Sequence, residues 1–89
     1  MKAVITVIGK DKIGIIAEIT SVLAENKVNI LDISQTILQD YFTMIMIVEL
    51  EKTDISFTML REKLNDAGGK IGMSVKIQHE DIFNAMHKI

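Results

Sequence analysis

Four segments rich in β-branched residues and two amphipathic helical stripes, in the order βαββαβ with a short helical tail, predict an α+β fold. This is a ferredoxin-like sandwich with an antiparallel sheet of strand order 4-1-3-2 and two helices on one face. Three observations carry it. Apolar residues recur at helical spacing from Ile13 to Leu23 and from Phe57 to Ile71, β-rich runs bracket both stripes, and a polar break at Gln39-Asp40 joins the middle two runs as a hairpin. In this topology strands one and three are central and strand two is an edge.

Lys2 to Ile8 forms strand one. From Ile13, the positions Ile15, Ile16, Ile19, Val22 and Leu23 fall on one face of a 3.6-residue period, whereas Glu18, Ser21, Glu25 and Asn26 fall elsewhere. Helix one therefore runs to about Lys27. Val28 to Leu38 is strand two and Tyr41 to Leu50 strand three. Thr53, Asp54 or Ser56 caps helix two, whose buried face is Phe57, Leu60, Leu64 and Ala67, with Ile71 continuing the stripe. Its end lies at Gly68 or at Gly72, because a glycine inside a helix costs about 1 kcal/mol. Met73 to His79 is strand four, with Val75 and Ile77 inward. Asp81 caps a last short helix carrying Ile82, Phe83, Met86 and Ile89 on one side.

An 89-residue chain is one domain with a modest core. Its 48% hydrophobic content is nearly free of aromatics, so Ile, Val, Leu and Met must supply the burial. The net charge of −2, with both signs interspersed, favours neither nucleic acid nor an anionic membrane. Cysteine is absent, which removes disulfides, thiolate metal sites and thiol catalysis. The apolar stretch Ala3 to Ile8 ends in Gly-Lys-Asp-Lys without a signal-peptide cleavage site, and no segment reaches bilayer length, so a cytoplasmic location is expected.

The central strands are apolar on both faces. Strand one offers Ala3, Ile5 and Val7 to one side and Val4, Thr6 and Ile8 to the other; strand three offers Phe42, Met44, Met46 and Val48 against Tyr41, Thr43, Ile45 and Ile47. A one-sided sheet alternates apolar with polar, so the second face is expected to be covered by the tail helix or by a second subunit. The methionines at 44, 46 and 86 are expected in the core. In strand two, Leu31, Ile33 and Ile37 alternate with Asp32, Ser34 and Thr36, and the outer backbone groups remain free to pair.

Gly9-Lys10-Asp11-Lys12-Ile13-Gly14 links strand one to helix one and is the candidate binding element. A helix start leaves N–H groups unpaired and partly positive, and glycines let a carboxylate approach them. Asp11 is also a good N-cap, able to bond the N–H of Ile13 or Gly14, with Gly9 needed for its backbone angles and Gly14 for close packing. The glycine spacing fits neither a dinucleotide fingerprint nor a P-loop. Asn29, at the start of strand two, is expected beside this turn, brought there by the helix between them.

Val7-Ile8-Gly9-Lys10-Asp11-Lys12-Ile13-Gly14-Ile15-Ile16 followed by Val28-Asn29-Ile30 resembles the ACT domain, the small-molecule sensor module of many amino-acid-metabolism proteins. The resemblance spans Ala3 to about Ile77. Asn29 to Gln35, Tyr41 to Met44 and Gln78 to Phe83 resemble small stand-alone ACT proteins related to glycine-cleavage-system repressor-like regulators. The resemblance implies an ACT unit over residues 1–80, with 81–89 a helix packed on the domain or on a dimer partner. It also implies a non-catalytic regulatory module that binds an amino acid at a homodimer interface, without a cofactor, and signals to a partner protein. The ligand would meet Gly9, Asp11, Lys12, Gly14, Asn29 and Ile30, the turn of one subunit facing strand two of its neighbour. The sequence departs from the family at Gly9, where a polar residue is frequent, and at Ile13, where proline is.

Other functions of this topology have less support. Enzymatic chemistry needs a nucleophile, or a base paired with an electrophile, in one pocket, and the lone arginine, Arg61, sits among Glu62 and Lys63. His79 and His87 lack tight metal-ligand spacing and are expected at the surface, with no metal bound. RNA recognition needs aromatics on the central strands, where Tyr41 and Phe42 fall on opposite faces. An interaction module without a small ligand is the alternative to the sensor.

Overall fold

The computed structural model describes residues 1–86. β1 (Lys2–Lys10), α1 (Ile15–Glu25), β2 (Asn29–Leu38), β3 (Tyr41–Glu49), α2 (Phe57–Lys70), β4 (Ser74–His79) and α3 (Glu80–Met86) follow in the expected order. The sheet runs β2-β3-β1-β4 with every pair antiparallel, which is the expected order read from the other edge.

One face holds the core. Ala3, Ile5 and Val7 of β1, Phe42, Met44, Met46 and Val48 of β3, and Val75 and Ile77 of β4 pack against Ile15, Ile19 and Leu23 of α1 and Leu60, Leu64 and Ala67 of α2. Burying each large side chain stabilises the fold by about 1.5–3 kcal/mol. At the edge, Leu31 is an extra residue in β2: Ile30 pairs with Val48 and Asp32 with Ile47, and this bulge resets the alternation. Ile30 and Ile33 thereby both reach the helix-facing side. The helices stop short of this edge, leaving Ile33 45% and Ile37 51% exposed.

The opposite face is covered in part. α3 folds back over β1 and β4, where the Gln78 side-chain amide donates to Met86 Sδ at 3.2 Å. Beneath it, Thr6, Ile8, Ser74, Lys76, Gln78, Phe83 and Met86 line an open pocket of about 370 Å³. Val4 is buried, whereas Ile8, Ile45 and Tyr41 stay 39–51% exposed. Two expectations about the tail change. α3 begins at Glu80, so Asp81 lies inside its first turn, and Ile82 and Met86 are exposed rather than core. Ile89 lies outside the described residues.

The helix ends follow local chemistry. Ser56 is the α2 cap, its hydroxyl accepting from the Met59 N–H at 3.1 Å. α2 continues through both glycines and stops before Gly72, whose φ of 68° completes a Schellman turn: Met73 N–H donates to the Gly68 carbonyl at 2.8 Å and Gly72 N–H to that of Gly69 at 3.4 Å. α1 ends in the same motif with Lys27, at φ 58°, in the place glycine favours; Val28 N–H reaches the Leu23 carbonyl at 2.9 Å.

Candidate functional site

Two glycines frame the β1–α1 turn, and the structure exchanges their expected roles. Gly9 lies within β1, where a Cβ would meet Met73 Sδ at 2.6 Å and the Gly72 carbonyl oxygen at 3.0 Å. It serves close packing. Gly14 has open space around it and a φ of 92°, so it serves the backbone angle.

Gly14 is also the N-cap of α1, and no side chain caps this helix. The Asp11 carboxylate is therefore not the cap that the sequence suggests. Instead the Asp11 N–H donates to the Asp40 carbonyl at 2.7 Å, extending the β1–β3 ladder by one step and pinning the turn to the β2–β3 hairpin. This leaves the Asp11 side chain exposed beside a helix start that no side chain caps, a place suited to a carboxylate. Lys12 leans elsewhere, its Nζ 3.5 Å from where a Cβ on Gly72 would sit.

Asn29 and Ile30 are not beside this turn. Asn29 pairs with Glu49, which pairs with Lys2, whereas Lys10 pairs with Tyr41 at the hairpin end. The two halves of the expected site thus stand about 26 Å apart, the length of a nine-residue strand. α1 begins at one end of the sheet and delivers the chain to the other. Within one chain Gly9, Asp11, Lys12 and Gly14 form one group, and Asn29 and Ile30 another.

The Asn29 end carries a cleft of about 530 Å³ lined by Lys27, Val28, Asn29, Glu49, Glu51 and Lys52. Asn29 and Ile30 also line a second hollow against Thr20, Ser21 and Ala24 of α1. Glu49 is the charged group that reasoning on the sequence missed. Its Oε2 accepts from the Met1 ammonium at 2.6 Å and from the Leu50 N–H at 3.0 Å. The hydrogen bond from that ammonium holds the Glu49 carboxyl below its ordinary value of 4.5; burial opposes it, and the ammonium's charge and the Leu50 and Glu51 N–H groups add to the lowering. The predicted strand order was a signal that could have found it, since the end of strand three must lie between the starts of strands one and two.

Arg61, weighed for catalysis, and His79, weighed as a metal ligand, are engaged structurally. His79 is half-buried and stacks on Phe57 with ring centroids 4.1 Å apart and planes 20° from parallel, which corrects its surface assignment. The Arg61 guanidinium lies 5.8 Å from the same ring. No helix among the described residues is long and apolar enough to cross a membrane.

Comparison with known proteins agrees with this architecture. A family profile described as ACT domain matches residues 2–78. A UPF0237 protein of Clostridium acetobutylicum is 58% identical over 89 residues, covering all of both chains. An ACT domain protein from Streptococcus pneumoniae superimposes with a TM-score of 0.82 at 45% identity, covering 98% of each chain. The fold is also that of a protein assigned as a glycine cleavage system transcriptional repressor: TM-score 0.76, 22% identity, covering 86% of this chain and 44% of that one.

Proposed function

The chain belongs to the ACT domain family, and from that premise we propose that it is a non-catalytic regulatory module. It binds an amino acid at the interface of a homodimer and passes the signal to a partner protein. The observation that carries this reading is the separation of the two half-sites along one sheet whose β2 edge is unpaired. Antiparallel pairing of two β2 strands about a twofold axis sets the start of one strand against the end of the other. Asn29 and Ile30 of one protomer then approach the Gly9 to Gly14 turn of its partner, twice per dimer. Leu31, Ile33, Ile37 and Leu38, each 45–71% exposed, supply apolar surface along that edge.

The chemistry suits a zwitterion. Uncapped N–H groups after Gly14 would receive the carboxylate, Asp11 would accept from the ammonium, and Asn29 both donates and accepts. Thermal-shift measurement with each common amino acid, followed by titration calorimetry, tests the proposal. Stabilisation by one or a few of them is expected. If none binds at millimolar concentration, the chain is an assembly module, a reading favoured by the exposed Ile8, Ile45 and Tyr41 on the open sheet face.

A further inference from the structure

We infer that the pocket beneath α3 is a further ligand site, independent of the dimer, and that it takes a small monocarboxylate with an aliphatic or aromatic body. Its floor follows from strand alternation. Val75 and Ile77 of β4 face the core, so Ser74, Lys76 and Gln78 face the opposite side, abreast of Ile8, Thr6 and Val4 of β1. α3 lies above them and adds Phe83 and Met86. At about 370 Å³ the pocket stands at the small end of ligand-binding cavities, which suits a small molecule.

The lining divides by chemistry. Ser74, Lys76, Gln78 and Thr6 bring hydroxyls, an ammonium and an amide, while Ile8, Phe83 and Met86 form the apolar side. Among the described residues, Lys76 is in no salt bridge and no acid lines the pocket. The pocket therefore carries one positive charge, which a single carboxylate matches. Gln78 points to the same ligand. Its amide donates to Met86 Sδ at 3.2 Å, and a thioether is a weak acceptor that a carboxylate oxygen outcompetes. An amino acid does not suit this pocket, because nothing charged there would receive its ammonium. Ile8, 47% exposed, and Met86, 65% exposed, supply apolar surface that the body of the acid covers, drawing α3 onto the sheet.

The test titrates the isotope-labelled full chain with hexanoate and phenylacetate, with hexanamide and phenylacetamide as neutral counterparts and inorganic phosphate as a bare anion. NMR shifts read the site and calorimetry the affinity. At least one carboxylate is expected to bind, shifting Thr6, Ile8 and Met86, with its amide and phosphate about tenfold weaker or more. Lys76→Gln should lose about tenfold in affinity, and Lys76→Arg should retain most of it. Lys76 is exposed, so both variants should keep the wild-type melting temperature. If neither carboxylate binds at millimolar concentration, the proposal is overturned. Equal affinity for acid and amide, or in wild type and Lys76→Gln, overturns the recognition of charge; equal affinity for phosphate overturns the apolar half. Shifts confined to Gly14 and Asn29 would assign the acid to the amino-acid site and overturn this one, whereas failure of the amino-acid screen leaves it standing.

Discussion

Gly68 and Gly69 are neighbours in one helix, yet a methyl group on each should move stability in opposite directions. A Cβ on Gly69 meets nothing, so Gly69→Ala should stabilise the fold by about 1 kcal/mol through helix propensity. On Gly68 the same atom would stand 2.6 Å from Val75 Cγ2 and 2.8 Å from the Met73 carbonyl oxygen, forcing α2 away from β4. Gly68→Ala should cost about 1–3 kcal/mol. Urea denaturation of the two variants checks both signs. Gly14→Ala, with nothing to clash, should still cost about 1–2 kcal/mol for its left-handed backbone. Glu49 gives a pH test. Its carboxyl is depressed in the fold, so its contribution is fully present above the ordinary value of 4.5 and is lost as pH falls through the lower folded value. The gap between the melting temperatures of wild type and Glu49→Gln should close on acidification; a gap independent of pH would sink this account.

Among the elements, α3 has the least settled packing. It roofs the pocket over β1 and β4, yet exposes Ile82 and Met86. Removing residues after Glu80 takes Phe83 and Met86 away from Thr6 and Ile8 and should lower the melting temperature by several degrees, roughly what 1 kcal/mol produces in a domain this small. An unchanged melting curve would make the tail an appendage. The element order was legible because each stripe, Ile15-Ile19-Leu23 and Leu60-Leu64-Ala67, repeats with a single period, and Gln39-Asp40 leaves little room for anything but a hairpin. Register was less legible. The Leu31 bulge depends on which side of an edge strand the helices cover, a tertiary matter that alternation alone does not encode. The Asp11 cap failed for a related reason: the β1–β3 ladder claims its backbone, and the left-handed Gly14 becomes the cap. Half the site, the turn, was readable as a motif. Its distance from Asn29 was not, because a helix joining two strands reads as nearness along the chain while it spans the length of the sheet.

At the scale of the molecule, a slab of 35 × 34 × 19 Å presents two incomplete surfaces, the β2 edge and the open sheet face. They can be told apart. Ile37 is 51% exposed on the edge and Ile45 39% exposed on the face, so a charge at either should change monomer stability little. If copies join through β2, Ile37→Lys should shift light scattering from dimer to monomer while Ile45→Asp does not. Edge pairing carries a stronger consequence, because each ligand site then draws its turn from one protomer and Asn29 from the other. Asp11→Ala and Asn29→Ala homodimers should each lose ligand-induced stabilisation. Mixed and re-equilibrated in equal amounts, half of the dimers carry one variant of each kind, and in those one site of the two unites a normal turn with a normal Asn29. Calorimetry of the mixture should therefore recover about one quarter of the wild-type sites at wild-type affinity. Sites built within single chains would recover none, and that result would return both half-sites to separate roles.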